Sequence, residues 1–319
     1  MAKYKKISQN IHRLIFDDPK ANKTLTWINI NNAGKTEIEL LRKKYNFNLS
    51  HLQASKTTAF AQWPKIEQGS GYLFLILHFP ILQDERVLAR EINFFISEEY
   101  VITIHNNDTT INNLFNLSKK DENSFLAYDK SPATLLYEIL EKLTLGCYPM
   151  LDKNSYDITD IQKIIFAHEQ RDAVSKILNL RHNIINLRKT MQSHKNIFKK
   201  LMEIDGIFTS DNNIKNFYKR LIEHTKTIWE ILENQKETIE ILYQTNESML
   251  TYKLNDIMKT LTIFSVIVFP LTLLAAIFGM NTVNGMPFME GKQGFWNIIG
   301  IMLLGSFFML LFFKKKRWI

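Results

Sequence analysis

Asn255, Met258, Thr262, Ser265, Phe269, Thr272, Ala276 and Gly279 follow one another in alternating steps of three and four. That rhythm averages about 3.5 residues, the repeat that keeps one face of a helix against its neighbours in a bundle. A face turned to lipid would be Leu, Ile and Phe throughout. This one carries a carboxamide, three hydroxyls and two of the smallest side chains, so it faces protein or water. Ordinary helix packing through small residues, with Ser and Thr bonded to the preceding turn, is one use of such a stripe. The other is a conduit in which uncharged oxygens meet a cation. A conduit needs several identical chains, because two membrane helices cannot enclose a pore. The stripe ends at Gly279-Met280-Asn281, and Gly and Asn are residue types that stop helices. A helix carboxyl terminus presents unpaired carbonyls and partial negative charge. Several converging on one axis attract cations and repel anions.

Other chemistries find little in the sequence. Its eight histidines show no HExxH or paired spacing, and Cys147 is the only cysteine, which excludes CxxC-type metal sites and internal disulfides. There is no GxGxxG, GxSxG or P-loop, so neither an enzyme nor a bound cofactor is expected. With 45% hydrophobic residues the chain is not disordered, and its formal charge of +8 is concentrated. Four of those charges are Lys314, Lys315, Lys316 and Arg317, so the basic balance reflects topology and no nucleic-acid partner is expected.

The elements that must position the stripe are membrane helices. Leu261 to Phe278 and Phe295 to Phe313 are uncharged and close to the roughly 20 residues that cross the hydrocarbon. The basic run after the second span places the carboxyl terminus in the cytoplasm, and two crossings return the amino-terminal part to the same side. No cleaved targeting segment is expected at the start of the chain.

Ahead of the spans, residues 1 to about 130 mix strand-like runs (25–30, 72–79, 92–96, 100–105) with helical stretches such as 36–45, separated by turn material at 67–71, 83–86 and 106–108. After Pro132 the sequence reads as helix, broken near 146–149 and 206–213. From Asn213 no Gly or Pro occurs until Pro270, so one helix of about 65 residues, about 100 Å long, can run into the bilayer. Ile228, Leu232, Gln235, Ile239, Leu242, Asn246 and Met249 form a first ladder along it. Pro270 lacks an amide hydrogen and frees the carbonyl of Val266, tolerable beside a neighbouring helix or a wet cavity.

Gly279-Met280-Asn281 at the end of the penultimate span, preceded by FPLTLLAAIF and followed by Met286-Pro287 and the tail KKKRW, resembles the CorA family of divalent-cation transporters. The resemblance implies a homopentamer in a bacterial-type inner membrane: an α+β cytoplasmic domain, a long-helix stalk and two transmembrane helices. The expected division is 1–130 for the cytoplasmic α/β domain, 131–258 for the helical domain and stalk, 259–281 and 295–313 for the membrane helices, 282–294 for the external loop and 314–319 for the tail. It further implies that Asn281 forms the outer selectivity ring, shaped by Gly279 and Met280. Asn255, Met258, Leu261 and Thr272 fall on pore-lining positions, with Met258 and Leu261 as the apolar constriction. Thr262, Ser265, Phe269 and Ala276 complete the lining. Mg²⁺ is the expected cargo, with Co²⁺ and Ni²⁺ beside it, gripped by Asn281 through its own water.

Three departures bear on that expectation. The stalk aspartate with which some members bind regulatory Mg²⁺ between subunits falls at Arg220, and an inner-mouth acid falls at Gln244. Asp84 remains a candidate regulatory ligand, although facing Arg220 it would form a salt bridge. The external loop, with Glu290 its only acid and Lys292 its only base, is longer than in typical magnesium members and closer to the zinc-transporting ZntB branch. Zn²⁺ transport, proton-coupled in one form, is therefore an alternative, and a non-conducting scaffold or sensor is a second.

Overall fold

A computed structural model describes residues 2–18, 23–56, 62–120, 126, 129–167, 170–204, 212–280, 287 and 293–318. Asn281, Glu290 and Lys292 lie outside the described residues, as do Met286 and most of the external loop. The chain divides into two compact units, Met1–Tyr243 and Gln244–Ile319.

The first unit is built on one mixed sheet. Its strands are β1 (Lys3–Lys6), β2 (Ile11–Asp18), β3 (Lys23–Asn31), β4 (Lys65–Gly69), β5 (Tyr72–Gln83), β6 (Arg86–Ile96) and β7 (Tyr100–His105), in the order β1-β2-β3-β7-β6-β5-β4. Only β3 and β7 pair in parallel, with Ile28 opposite Ile102; the other neighbours are antiparallel. The run YLFLILHF in β5 is apolar at nearly every position because both faces of the sheet are covered. Phe74 and Ile76 join Ile28, Ile30 and Phe95 beneath α1 (Lys35–Tyr45) and α2 (Leu49–Ala54). Leu73, Leu75 and Leu77 point the other way, into a core shared with α3 (Thr109–Lys120), α4 (Pro132–Leu145) and α7 (His194–Glu203).

Strands β1, β2 and β4 were not expected from the sequence. The stretch 67–71, read as turn, is strand as far as Gly69, and the turn proper is Ser70-Gly71 with Gly71 at φ 79. The expected turn at 83–86 is a tight hairpin whose two central residues, Asp84 and Glu85, both hold left-handed backbone at φ 48 and 62. Asn183 and Asn186 of α6 (Gln170–Met191) grip this hairpin: Asn183 accepts from the Val87 amide and donates to the Glu85 carbonyl, and Asn186 donates to the Val87 carbonyl.

Beyond α5 (Tyr148–Phe166), the long helix α8 runs unbroken over Asn212–Phe278, 67 residues, straight through Pro270. Most of the first ladder is its buried side: Ile228, Leu232 and Ile239 are fully buried, Gln235, Leu242 and Asn246 nearly so, and Met249 is half-buried. Gln235 is tied to α5, donating to the Leu151 carbonyl at 2.8 Å and to Ser155 at 3.0 Å while accepting from Asn154 at 3.1 Å. In the second unit, α9 (Gly294–Lys315) follows.

Candidate functional site

Among the described residues two helices, α8 and α9, are long and apolar enough to cross a membrane, with apolar windows of mean hydropathy 2.5 and 2.1. Neither window is buried by its own chain, as the core helix of a soluble protein would be.

Over the span, α8 has two distinct sides. Ile263, Ile267, Pro270, Leu274 and Phe278 are half-buried. At about 100° per residue these positions centre on the side opposite the stripe. The stripe itself lies bare: Asn255, Met258, Thr262, Phe269, Thr272, Ala276 and Gly279 are exposed, and only Ser265 is half-buried. Leu261 is exposed beside it. Ser265 is half-buried because it sits in a shallow groove between Leu261, Thr262, Val266, Phe269 and Pro270.

The hydroxyls on this stripe are oriented by the helix. Thr262 donates to the Met258 carbonyl at 2.8 Å and Thr272 to the Val268 carbonyl at 2.9 Å. With its only hydrogen engaged by the preceding turn, each oxygen has just lone pairs left for a ligand. This is the back-bonding to the preceding turn that the residue types allowed, common for Ser and Thr in membrane helices.

The helix ends at Phe278, where the residue types suggested a stop, but by a different device. Gly279 is not left-handed; its amide still donates to the Ala275 carbonyl at 2.9 Å, and Met280 closes a tighter turn onto Ile277 at 3.3 Å. Glycine suits the close approach here, since a Cβ at Gly279 would sit 3.0 Å from the Ala275 carbonyl oxygen, a tight contact relieved only by a shift of the turn. At the other end of the unit, the Lys259 ammonium donates to the Arg317 carbonyl at 3.5 Å, and Trp318 stacks on Phe313.

Asp84 forms the hairpin apex, on a polar cleft with Lys153, Asp157, Asp160 and Lys176, whose two α5 carboxylates are each paired with a lysine at 3.0 Å. Within the chain no salt bridge joins Asp84 to Arg220; the pairing expected of them is between subunits. The Arg220 guanidinium instead lies over the Phe217 and Tyr137 rings, 5.5 and 5.9 Å from their centroids. Among the described residues no three His, Cys, Asp or Glu side chains converge as a metal cluster. His51, His78, His105, His194 and His224 sit in packing, ion-pair or hydrogen-bond roles, whereas His182 is exposed. His105 illustrates this: its Nδ1 accepts from the Asp108 amide at 2.9 Å, so Nε2 carries the hydrogen donated to Asn29 at 2.8 Å. Burial, with the neighbouring Arg90 charge, pushes its pKa down to about 3.

A mixed-sheet unit followed by a long helix that carries one candidate membrane span, and a second candidate span after it, define the architecture of a two-span membrane protein. The chain belongs to the CorA-like Mg²⁺ transporter protein family, whose model matches residues 22–315. It is 24% identical over 300 residues to the cobalt/magnesium transport protein CorA of Thermotoga maritima, covering 93% of this chain and 84% of that protein. The complete CorA magnesium transporter of Methanocaldococcus jannaschii has the same fold, with a TM-score of 0.84 at 21% identity over 100% of this chain and 98% of that one. The ZntB cytoplasmic domain of Vibrio parahaemolyticus is a more distant likeness, with a TM-score of 0.51 at 12% identity over 70% of this chain and 87% of that one. As a member of this family the chain is a divalent-cation transporter and not an enzyme.

Proposed function

We propose that five copies of this chain surround a conduit for Mg²⁺, lined by Asn255, Met258, Leu261, Thr262, Ser265, Phe269, Thr272 and Ala276 and closed outside by Gly279, Met280 and a ring of Asn281 side chains. The observation that carries this reading is the bare stripe of neutral oxygens opposite the half-buried side of α8. Mg²⁺ is small and hard and gives up its water reluctantly, so it is best held through that water by uncharged oxygen. Fixed carboxylates would retain it too long, whereas conduction needs weak, successive sites. Both termini lie in the cytoplasm, in keeping with the basic run after α9. A potential of 100 mV, inside negative, then contributes about 4.6 kcal/mol to entry of a divalent ion, and Mg²⁺ moves as cargo without a cofactor.

The test is flux through purified protein in liposomes at fixed voltage, with Mg²⁺, Co²⁺, Ni²⁺ and Zn²⁺ compared. Asn281→Ala is expected to abolish Mg²⁺ entry while leaving the assembly intact by size; unchanged flux would sink the assignment. The long external loop with Glu290 and Lys292 supports Zn²⁺ as the second reading, and Zn²⁺ entry that Mg²⁺ cannot compete away, accelerated by a pH gradient, would replace the first.

A further inference from the structure

A cavity of about 310 Å³ opens beside the carboxyl end of β7, bounded by His105 and Asn106 there, by Arg90 and Glu91 of β6 and by Lys56 just after α2. Its place in the sheet is one where ligands bind. β3 and β7 are parallel neighbours, yet the chain leaves β3 for α1 on one face and leaves β7 for α3 on the other. Carboxyl ends of parallel strands whose connections diverge in this way leave a crevice for a ligand.

Both cations on the cavity have donors to spare. Arg90 donates through Nη1 to the Asn107 carbonyl at 3.3 Å and faces Asp108 at 3.7 Å. Its Nε and Nη2 have no partner among the described residues and are open to solvent. Lys56 is half-buried and forms no ion pair among the described residues. Glu91 also lines the cavity, but both of its oxygens are engaged. Oε1 accepts from the Asn93 amide at 2.9 Å, and Oε2 accepts from the Gln62 amide at 2.9 Å and faces His78 at 3.5 Å. A negative group entering the cavity therefore meets two open cations and a carboxylate whose charge is already answered.

We propose that this cavity binds a small phosphate monoester of sugar size, with its phosphate on Arg90 and Lys56. The open edge of the guanidinium is a planar fork that matches two phosphate oxygens, and the ammonium adds a second positive charge. Two cations answer the charge of about −2 on one phosphate and leave nothing for a triphosphate. The volume lies at the lower end of the about 300–1,000 Å³ of small-molecule sites, more than a bare phosphate fills. Among the described residues no Phe, Tyr or Trp lines it to stack on a base, whereas the exposed Asn106 amide suits sugar hydroxyls and Ile81 and Leu88 face the carbon body.

The probes are glucose 6-phosphate and its two halves, glucose and inorganic phosphate. Each is titrated onto the full chain in detergent micelles at low salt without divalent ions, with the melting midpoint as readout. A saturable rise with glucose 6-phosphate is expected, at an affinity above that for either half. Lys56→Gln removes a charge-assisted bond and is expected to weaken binding about tenfold while leaving the midpoint without ligand unchanged. Arg90→Lys keeps the charge facing Asp108 but loses the fork, and is expected to weaken binding as well. Lys65→Gln, outside the cavity and paired with Glu67, leaves it unaltered. No saturable rise, equal affinity for inorganic phosphate, unchanged binding in Lys56→Gln, or an equal loss in Lys65→Gln would each overturn the proposal.

Discussion

Phe269 is the bulkiest side chain on the stripe and is 70% exposed, with Thr272 about one turn further along. In the proposed ring its phenyl groups form an apolar collar, and collars of this kind gate by excluding water. Phe269→Ala is expected to raise Mg²⁺ flux several-fold and to narrow the difference between Mg²⁺ and larger hydrated ions. Single-channel or liposome flux measurements would show it, and an unchanged conductance would remove Phe269 from the constriction. At this scale the sequence was informative where polarity ran against its surroundings: a carboxamide and hydroxyls within an apolar stretch are visible by type. Bonding of Ser and Thr to the preceding turn was also readable from type, and Thr262 and Thr272 show it. The close backbone approach at Gly279 has no signature in residue identity alone.

Among the elements, α8 was legible over nearly its whole length, because the described helix contains no glycine and its buried rungs repeat with bundle spacing. Gln235 is the rung with the most at stake. Its amide serves three groups on α5, and Gln235→Ala leaves the Leu151 carbonyl and the buried Asn154 amide without it. Loss of about 1–3 kcal/mol is expected. Chemical denaturation would detect it, and a variant as stable as the parent would show that water takes over those bonds. The strands missed in the sequence share a physical cause. β1 is KYKK, exposed at all four positions, and β4 is KIEQG with no fully buried residue, so neither edge carries the apolar alternation that marks a half-buried strand. β2 alternates regularly, but Ile11 serves one core and Leu14 and Phe16 the other, so apolar residues on both faces hide the apolar–polar pattern of a half-buried strand.

For the molecule as a whole, segregation of charge was the clearest signal. Average composition suggested a soluble protein, and only position revealed two uncharged windows near the end. Position says less about response to acid, which depends on burial. His105, held near 3, and His194, fully buried between Phe79 and Phe198 and lowered by that burial to about 4, stay neutral in the folded chain. Unfolded, each takes up a proton near pH 6.5. The unfolded state therefore binds more protons below that pH, and stability falls as pH drops from about 6.5 toward 4. Each histidine contributes a slope of up to about 1.4 kcal/mol per pH unit. His105→Gln, which can accept from Asp108 and donate to Asn29 without titrating, is expected to flatten the decline. Unfolding midpoints measured between pH 4 and 7 would check it, and parallel curves would assign the acid sensitivity elsewhere.

The backward-bonded threonines have one more consequence for the proposed conduit. A chloride ion drawn to Thr262 or Thr272 would look for a hydrogen to hold it and meet only oxygen lone pairs. At those two levels halides find no donor because of how each side chain spends its single proton. The wall can be inhospitable to anions and yet electrically neutral, letting a doubly charged ion move on once it has entered.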